Sequence, residues 1–485
     1  MNNSFCISGK SNYNNIINMY RLIIFTIGII TGIIMIFSED LNNGYDYYFI
    51  VPIIFSFMYI ICFNITRFMN SAGLLIFNIV LVMKYIFLPL TSHLSNYYIS
   101  RGFAPLQNDV EKGMYLVVYE MIAVMITANI LAPKFYNAKI KLSKDIELKK
   151  INNHFIYHSL IVVAIIFLII FPTLRQEFIP YFFKSNLNES LYYERSFGLG
   201  IIVISFARNI FVLLAISYFN NKYIKKEKII YPIISIIIIG TDLIFTSGMS
   251  RWTIVIPGIA YLYLLMIVFK KHRKTIFLIC GGLIGFGFIV MTITKSFGNE
   301  DTLNMASKNI DITWLAEYIR GYFIGPKSVA LSYPINEYFN SINLNSIQVF
   351  LNDLFSSVPG FSNFTTYEYT TPNIFNYYIY YNHIAKDAIV PMISQGYVYF
   401  GFILSPLFSC LSVFMMMWLE RKAIENSSDI VQFYICTYVS IWFARAITLN
   451  ITIVFSHFFN RFCLLYLLYK INEYIVIKKS KEIRI

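Results

Sequence analysis

Charge is what this sequence has least of. Asp, Glu, Lys and Arg together make up 13% of its 485 residues, and histidine occurs only 6 times. A soluble chain of this length needs far more polar surface to stay dispersed, so a free globular enzyme is excluded. Cysteine is equally scarce, at 6. Cys62, Cys280, Cys410, Cys436 and Cys463 lie in apolar runs, Cys6 lies in the polar start of the chain, and none forms a CxxC pair. That argues against a disulfide framework and against a metal site. There is no P-loop, no GxGxxG after a strand, no HExxH, no GxSxG and no DxD pair for a metal-bound nucleotide sugar. Nor is there an internal repeat, or a low-complexity tract beyond a general Ile/Asn/Tyr bias.

What is abundant is apolar, at 57% of residues with a mean hydropathy of +0.60. The apolar residues come in blocks close to the ~20 needed to cross hydrocarbon as a helix. Barrel strands would alternate instead. The expected fold is an all-α polytopic transmembrane bundle of about 12 spans. They are expected near Leu22–Phe37, Tyr47–Phe63, Ala72–Leu90, Met114–Leu131, Phe155–Phe171 and Phe197–Phe219. The second half adds Ile229–Phe245, Thr253–Phe269, Ile276–Thr294, Val398–Leu419, Ile430–Leu449 and Ile451–Tyr469. No small-residue cleavage site follows the first run, so it reads as a retained span.

The net charge of +13 suggests nucleic acid at first sight. Basic residues that hold topology and meet anionic lipid explain it better, and no nucleic-acid partner is expected. With the N-terminus inside, 24 of the 39 Lys and Arg fall on inside segments, 11 outside and four within spans. The expectation is a bacterial cytoplasmic membrane protein with both termini cytoplasmic. Its organisation reads as nine spans over 1–294, one large outward loop over 295–388, and three spans with a basic tail over 389–485. The loop is too rich in Tyr, Phe and Ile for a disordered linker. It contains a helix over Asp311–Gly321 with Trp314, Leu315 and Tyr318 on one side. A second, amphipathic helix is carried by Leu344, Ile347, Phe350, Leu351, Leu354 and Phe355, spaced three and four apart. Such helices can lie on a bilayer surface.

A charge at the bilayer centre costs ~2.5–3.5 kcal/mol on insertion scales and persists where it meets a partner or a watery cavity. Arg208, Arg445 and Arg461 fall within expected spans, and His457 shares a face with Arg461. Three arginines favour a shared polar cavity, and guanidinium groups suit phosphate. Glu120 and Asp242 are expected to neutralise Arg208 or Arg445. Lys84 is expected to snorkel to the interface. Arg251 follows a Ser/Gly turn whose amides can help it bind an anion. Arg320, Lys327 and Asn373 stand in the large loop, with Asn382, His383 and Asp387 after a tyrosine run. Tyrosines there suit sugar faces and interfaces equally. The glycines Gly281, Gly282, Gly285 and Gly287 within the ninth span read as close helix packing.

Three patterns carry a family resemblance: SGMSR at 247–251, YIRGYFIGP at 318–326, and TTPNIFNYY at 370–378 leading into PMISQGYVYFGFILSPLF at 391–408. With the late outward loop, they resemble the bacterial O-antigen and capsule repeat-unit polymerases, the Wzy group. Gln395 stands where that family often has glutamate. The resemblance implies a metal-independent glycosyltransferase of glycosyltransferase class C-like architecture, without a cofactor. It would work on undecaprenyl-pyrophosphate-linked oligosaccharide in membrane lipid, with a chain-length regulator as a further partner. Arg251 and Arg320, which stand within the resembling patterns, are the catalytic candidates, with His383 and Asp387 added by chemistry. Arg208, Arg445, Arg461, Lys327 and His457 by their own chemistry, and Asn373 of the third pattern, are the substrate-binding candidates. Glu368 and His457 join His383 and Asp387 as candidate general bases by chemistry. The rival readings are a lipid-linked oligosaccharide flippase, an O-antigen ligase and a membrane protein without chemistry.

Overall fold

The computed structural model describes residues 5–37, 44–68, 71–96, 98, 102–136, 155–180, 198–245, 250–297, 312–358, 360–381 and 388–482. All regular secondary structure among them is helical. Oil leaves backbone groups no solvent partner, so apolar runs of Ile, Leu and Phe close their own hydrogen bonds as helices. Among the described residues, six helices are long and apolar enough to cross a membrane: Asn15–Ile36, Ala72–Leu94, Gln107–Tyr136, Gly198–Lys226, Lys270–Thr292 and Ile451–Val476. A bent pair, Met392–Leu404 and Leu407–Glu425, makes a seventh if taken as one span. Five further apolar helices, Ile50–Ile61, Phe155–Ile170, Ile230–Ile244, Trp252–Val268 and Ile430–Ala444, are shorter. Twelve residues of helix cover ~18 Å, less than the ~30 Å of hydrocarbon. Each of the twelve expected windows falls on one of these helices, but only six or seven are long enough by themselves.

The expected straight span Val398–Leu419 is instead turned by 104°. Gly401 adopts φ 71°, ψ −171°, a conformation essentially closed to residues with a Cβ. Pro406 follows, with no amide to continue the ladder. Tyr119 covers the bend: its ring stacks on Phe402 at 5.2 Å and its hydroxyl donates to the Ile403 carbonyl at 2.8 Å.

The chain forms two interleaved compact units. The first comprises Met1–Lys139, Asp311–Arg421 and Ser440–Phe459; the second comprises Ile140–Ile310, Lys422–Val439 and Asn460–Ile485. In the first, Lys84 is 2% exposed and does not snorkel. Its Nζ lies 2.8 Å from Glu120 Oε2 and donates to the Ile447 carbonyl at 2.8 Å, while Ser409 donates to Glu120 Oε1 at 2.6 Å. A carboxylate at its own depth holds the ammonium, so Glu120 serves Lys84 and not an arginine. In the second unit the glycine cluster does not pack closely. A Cβ added at Gly281, Gly282 or Gly285 would meet nothing within 4 Å.

Both expected loop helices exist, at Ile312–Phe323 and Ser346–Ser357, but their buried faces differ from the apolar stripes read in the sequence. The first buries Ala316, Ile319 and Arg320 and leaves Leu315 exposed. The second, opened by an Asn345–Gln348 capping box, buries Val349, Asp353 and Ser357 and leaves Ile347 65% exposed. The polar Asp353 is turned inward because it has partners there, described below.

Candidate functional site

The first unit gathers Arg320 and Lys327 beside a set of tyrosines. Arg320 ends one loop helix, and Lys327 lies in the first turn of the next, Pro326–Ala330. Between them Ile324 sits at φ 55°, costly for a β-branched residue, on the order of 1–3 kcal/mol. Its amide still donates to the Arg320 carbonyl at 3.0 Å. That reversal folds Lys327 back toward Arg320. Both cations are buried, Lys327 to 2% exposure. Arg320 Nη2 lies 3.3 Å from Ser92 Oγ. The backbone amide of Lys327 bonds the Tyr45 phenol, which itself donates to the Tyr98 carbonyl at 3.0 Å. Tyr48 stacks edge-on against Tyr45 at 5.5 Å. Burial pulls the Lys327 ammonium down to about 8; Arg320 pulls the same way and Glu317 opposes. Burial raises Tyr45 to about 12 against the pull of Arg320.

Other expected residues of this unit sit elsewhere. Arg445 lies 5.1 Å over the Trp442 ring, whose other neighbour is His457 at 3.7 Å between ring centroids. Arg445 is not inside a helix as expected; it follows Ile430–Ala444 and precedes a short 3-10 turn. Asn373 is buried and bonds the Glu368 carbonyl at 3.2 Å, so it pins a turn; Glu368 itself is exposed. His383 and Asp387, with Asn382, lie outside the described residues.

Asp353 escaped the sequence reading. Its Oδ1 accepts from the Thr371 amide at 2.9 Å; its Oδ2 accepts from Gln395 Nε2 at 3.2 Å and from the Tyr399 hydroxyl. Gln395 Oε1 in turn accepts from the Ile451 amide at 2.6 Å. Burial, outweighing these bonds, raises Asp353 to about 6. Gln395, standing where a carboxylate was looked for, thus presents one to nobody and donates to one instead. The available signal was a lone acid within an amphipathic helix.

The second unit holds a cavity lined by Ser205, Arg208, Asn209, Asp242, Thr253, Tyr438 and Arg461, with Leu243 and Pro257. Arg208 gives Nε and Nη2 to Asp242 Oδ1 at 3.0 and 2.9 Å and Nη2 also to its carbonyl. Arg461 Nη1 donates to the Tyr438 hydroxyl at 3.0 Å. The expected shared chamber therefore unites Arg208 and Arg461, while Arg251 is not among its lining residues and Arg445 belongs to the first unit. Arg251 is buried at the start of Trp252–Val268, with Nε 2.9 Å from Thr292 Oγ1. Ser247, Gly248 and Met249 of its motif lie outside the described residues. Comparison with protein-family models, with curated proteins and with solved structures gives no match to this chain.

Proposed function

We propose that the protein joins undecaprenyl-pyrophosphate-linked oligosaccharide repeat units into O-antigen or capsular polysaccharide at the outer face of the bacterial cytoplasmic membrane. In this reading it is a twelve-span, glycosyltransferase class C-like enzyme that needs no metal, with both termini inside and a chain-length regulator as partner. The observation that carries it is the buried Arg320–Lys327 pair, held by a strained Ile324 among tyrosines. Two cations withdrawn from water have a use where phosphate charge develops, and pyrophosphate leaving from the growing glycan is such a charge. The glycan would pass to the sugar end of an incoming unit, so the energy comes from the lipid pyrophosphate and no nucleotide sugar is required.

Contacts at helix ends support the sidedness. Tyr45 with Tyr98, Arg320 with Ser92, and the Phe103 amide with the Tyr378 carbonyl at 2.9 Å all join segments assigned outside by the charge count. The Gly73 amide with Glu420 at 3.1 Å and Lys271 with Glu227 at 2.7 Å join segments assigned inside.

A flippase is the second reading, although transporters of that type carry two similar halves and this sequence has no internal repeat. Glycan ladders separate the two. Deleting the gene is expected to leave chains one repeat long on the acceptor, and Arg320→Ala with normal membrane abundance to do the same. Near-absence of glycan on deletion would point to the flippase, and long unattached polymer to a ligase. An unchanged ladder would sink all three.

A further inference from the structure

The cavity of the second unit has a charge and a size that together specify a ligand. Its ionised lining groups are Arg208, Arg461 and Asp242. Arg208 is committed, since two of its N–H groups hold Asp242 Oδ1 and its guanidinium also lies 5.4 Å from the Phe178 ring centre. That pair is internally neutral. Arg461 faces no carboxylate among the described residues within ion-pair distance, and one of its five N–H groups is used on Tyr438. The cavity therefore presents one guanidinium that no carboxylate among the described residues pairs with. Tyr438 accepts from Arg461, which leaves its own hydroxyl proton to donate onward. Ser205, Asn209 and Thr253 add neutral hydrogen-bonding groups. Arg461 comes from the π-helical turn Phe458–Cys463, a rare geometry that recurs at functional sites.

Size narrows the choice. The cavity offers about 50 Å³ to the centres of water-sized molecules. At ~10–15 Å³ for each water, it admits a handful of waters or one tetrahedral oxyanion. We propose that this cavity is a binding site for a single phosphoryl group, received by Arg461 and Tyr438 against a wall fixed by the Arg208–Asp242 pair. Bidentate N–H donation to two phosphate oxygens suits the guanidinium that remains available. Asp242 lies two residues before the end of Ile230–Ile244, and Thr253 in the first turn of Trp252–Val268, so the cavity sits at helix ends, within reach of a lipid headgroup or a free anion. Arg208 and Arg461 are also substrate-binding candidates of the polymer-forming reading, but the inference rests on the geometry of this cavity, whereas that reading is carried by Arg320 and Lys327 of the other unit.

The full chain in neutral-lipid nanodiscs would be melted against rising inorganic phosphate, with chloride at matched ionic strength as reference. Phosphate is expected to raise the midpoint of the wild type by a saturable amount, as for any ligand of the native state. Arg461→Gln is expected to melt at the same temperature without phosphate and to lose the shift, and Tyr438→Phe to weaken it severalfold. Nanodiscs containing phosphatidic acid distinguish the source: a suppressed response to added phosphate means a lipid phosphate fills the site, and an undiminished response means a free one. A wild type indifferent to both phosphate and phosphatidic acid, or an Arg461→Gln variant that responds as the wild type does, would overturn the proposal. Should Arg461→Gln melt lower on its own, Tyr438→Phe carries the test alone, and an undiminished shift there overturns it. The Arg320→Ala ladder reads the first unit, so either result can fail without the other.

Discussion

Lys327 shows how one buried cation can set a pH range. Its ammonium titrates near 8 because burial disfavours charge and Arg320 repels it. Below that pH the site holds two positive charges, and above it one. Polymer formation by membranes is therefore expected to fall as pH rises through about 8, and Lys327→Arg, which stays charged, to remove that alkaline fall. Stability runs the other way. Between about 8 and the usual 10.5 the unfolded chain holds a proton that the folded chain has released, so folding becomes more favourable as pH rises across that window. Arg320 and Lys327 were legible as candidates, but their proximity was not. It depends on the left-handed backbone of Ile324, which no propensity favours. Asp353 was illegible for a related reason: Thr371, Gln395 and Tyr399 reach it from two other elements.

Among the described helices, each apolar window coincides with an apolar helix, because hydrocarbon imposes one answer on an apolar run, though only six or seven are long enough to span. What the windows missed were breaks and faces. The bend after Tyr399 was written as Phe-Gly with Pro406 following, punctuation that an averaged hydropathy erases. The loop helices had the right period, yet Arg320 and Asp353 point inward, since each has hydrogen-bond partners there. Lys84 and Glu120 give this scale its prediction. Glu120→Ala strands a buried ammonium and is expected to cost ~3–5 kcal/mol, read as a lowered melting midpoint in detergent. Replacing both together, Lys84→Met with Glu120→Leu, is expected to restore most of that loss.

For the molecule as a whole, the charge count assigns Glu337 and Lys271 to opposite faces. In a chain with its cysteines replaced by serine, Glu337→Cys is expected to react with an impermeant maleimide from outside intact cells. Lys271→Cys, whose exposed ion pair with Glu227 contributes little, is expected to react only after permeabilisation.

The interleaving of the two units has a bearing on biogenesis. Residues 1–139 leave the ribosome early, but their packing partners at 311–421 and 440–459 follow only after the intervening stretch 140–310 has been made. At ~5–20 residues per second that is a wait of roughly 10–30 s. During it Lys84 and Glu120 already have each other, one salt link between two early helices, while Ser409 and the Ile447 carbonyl have yet to be synthesised. The nascent protein can thus store two of its buried charges as a neutral couple until the rest of their cage arrives.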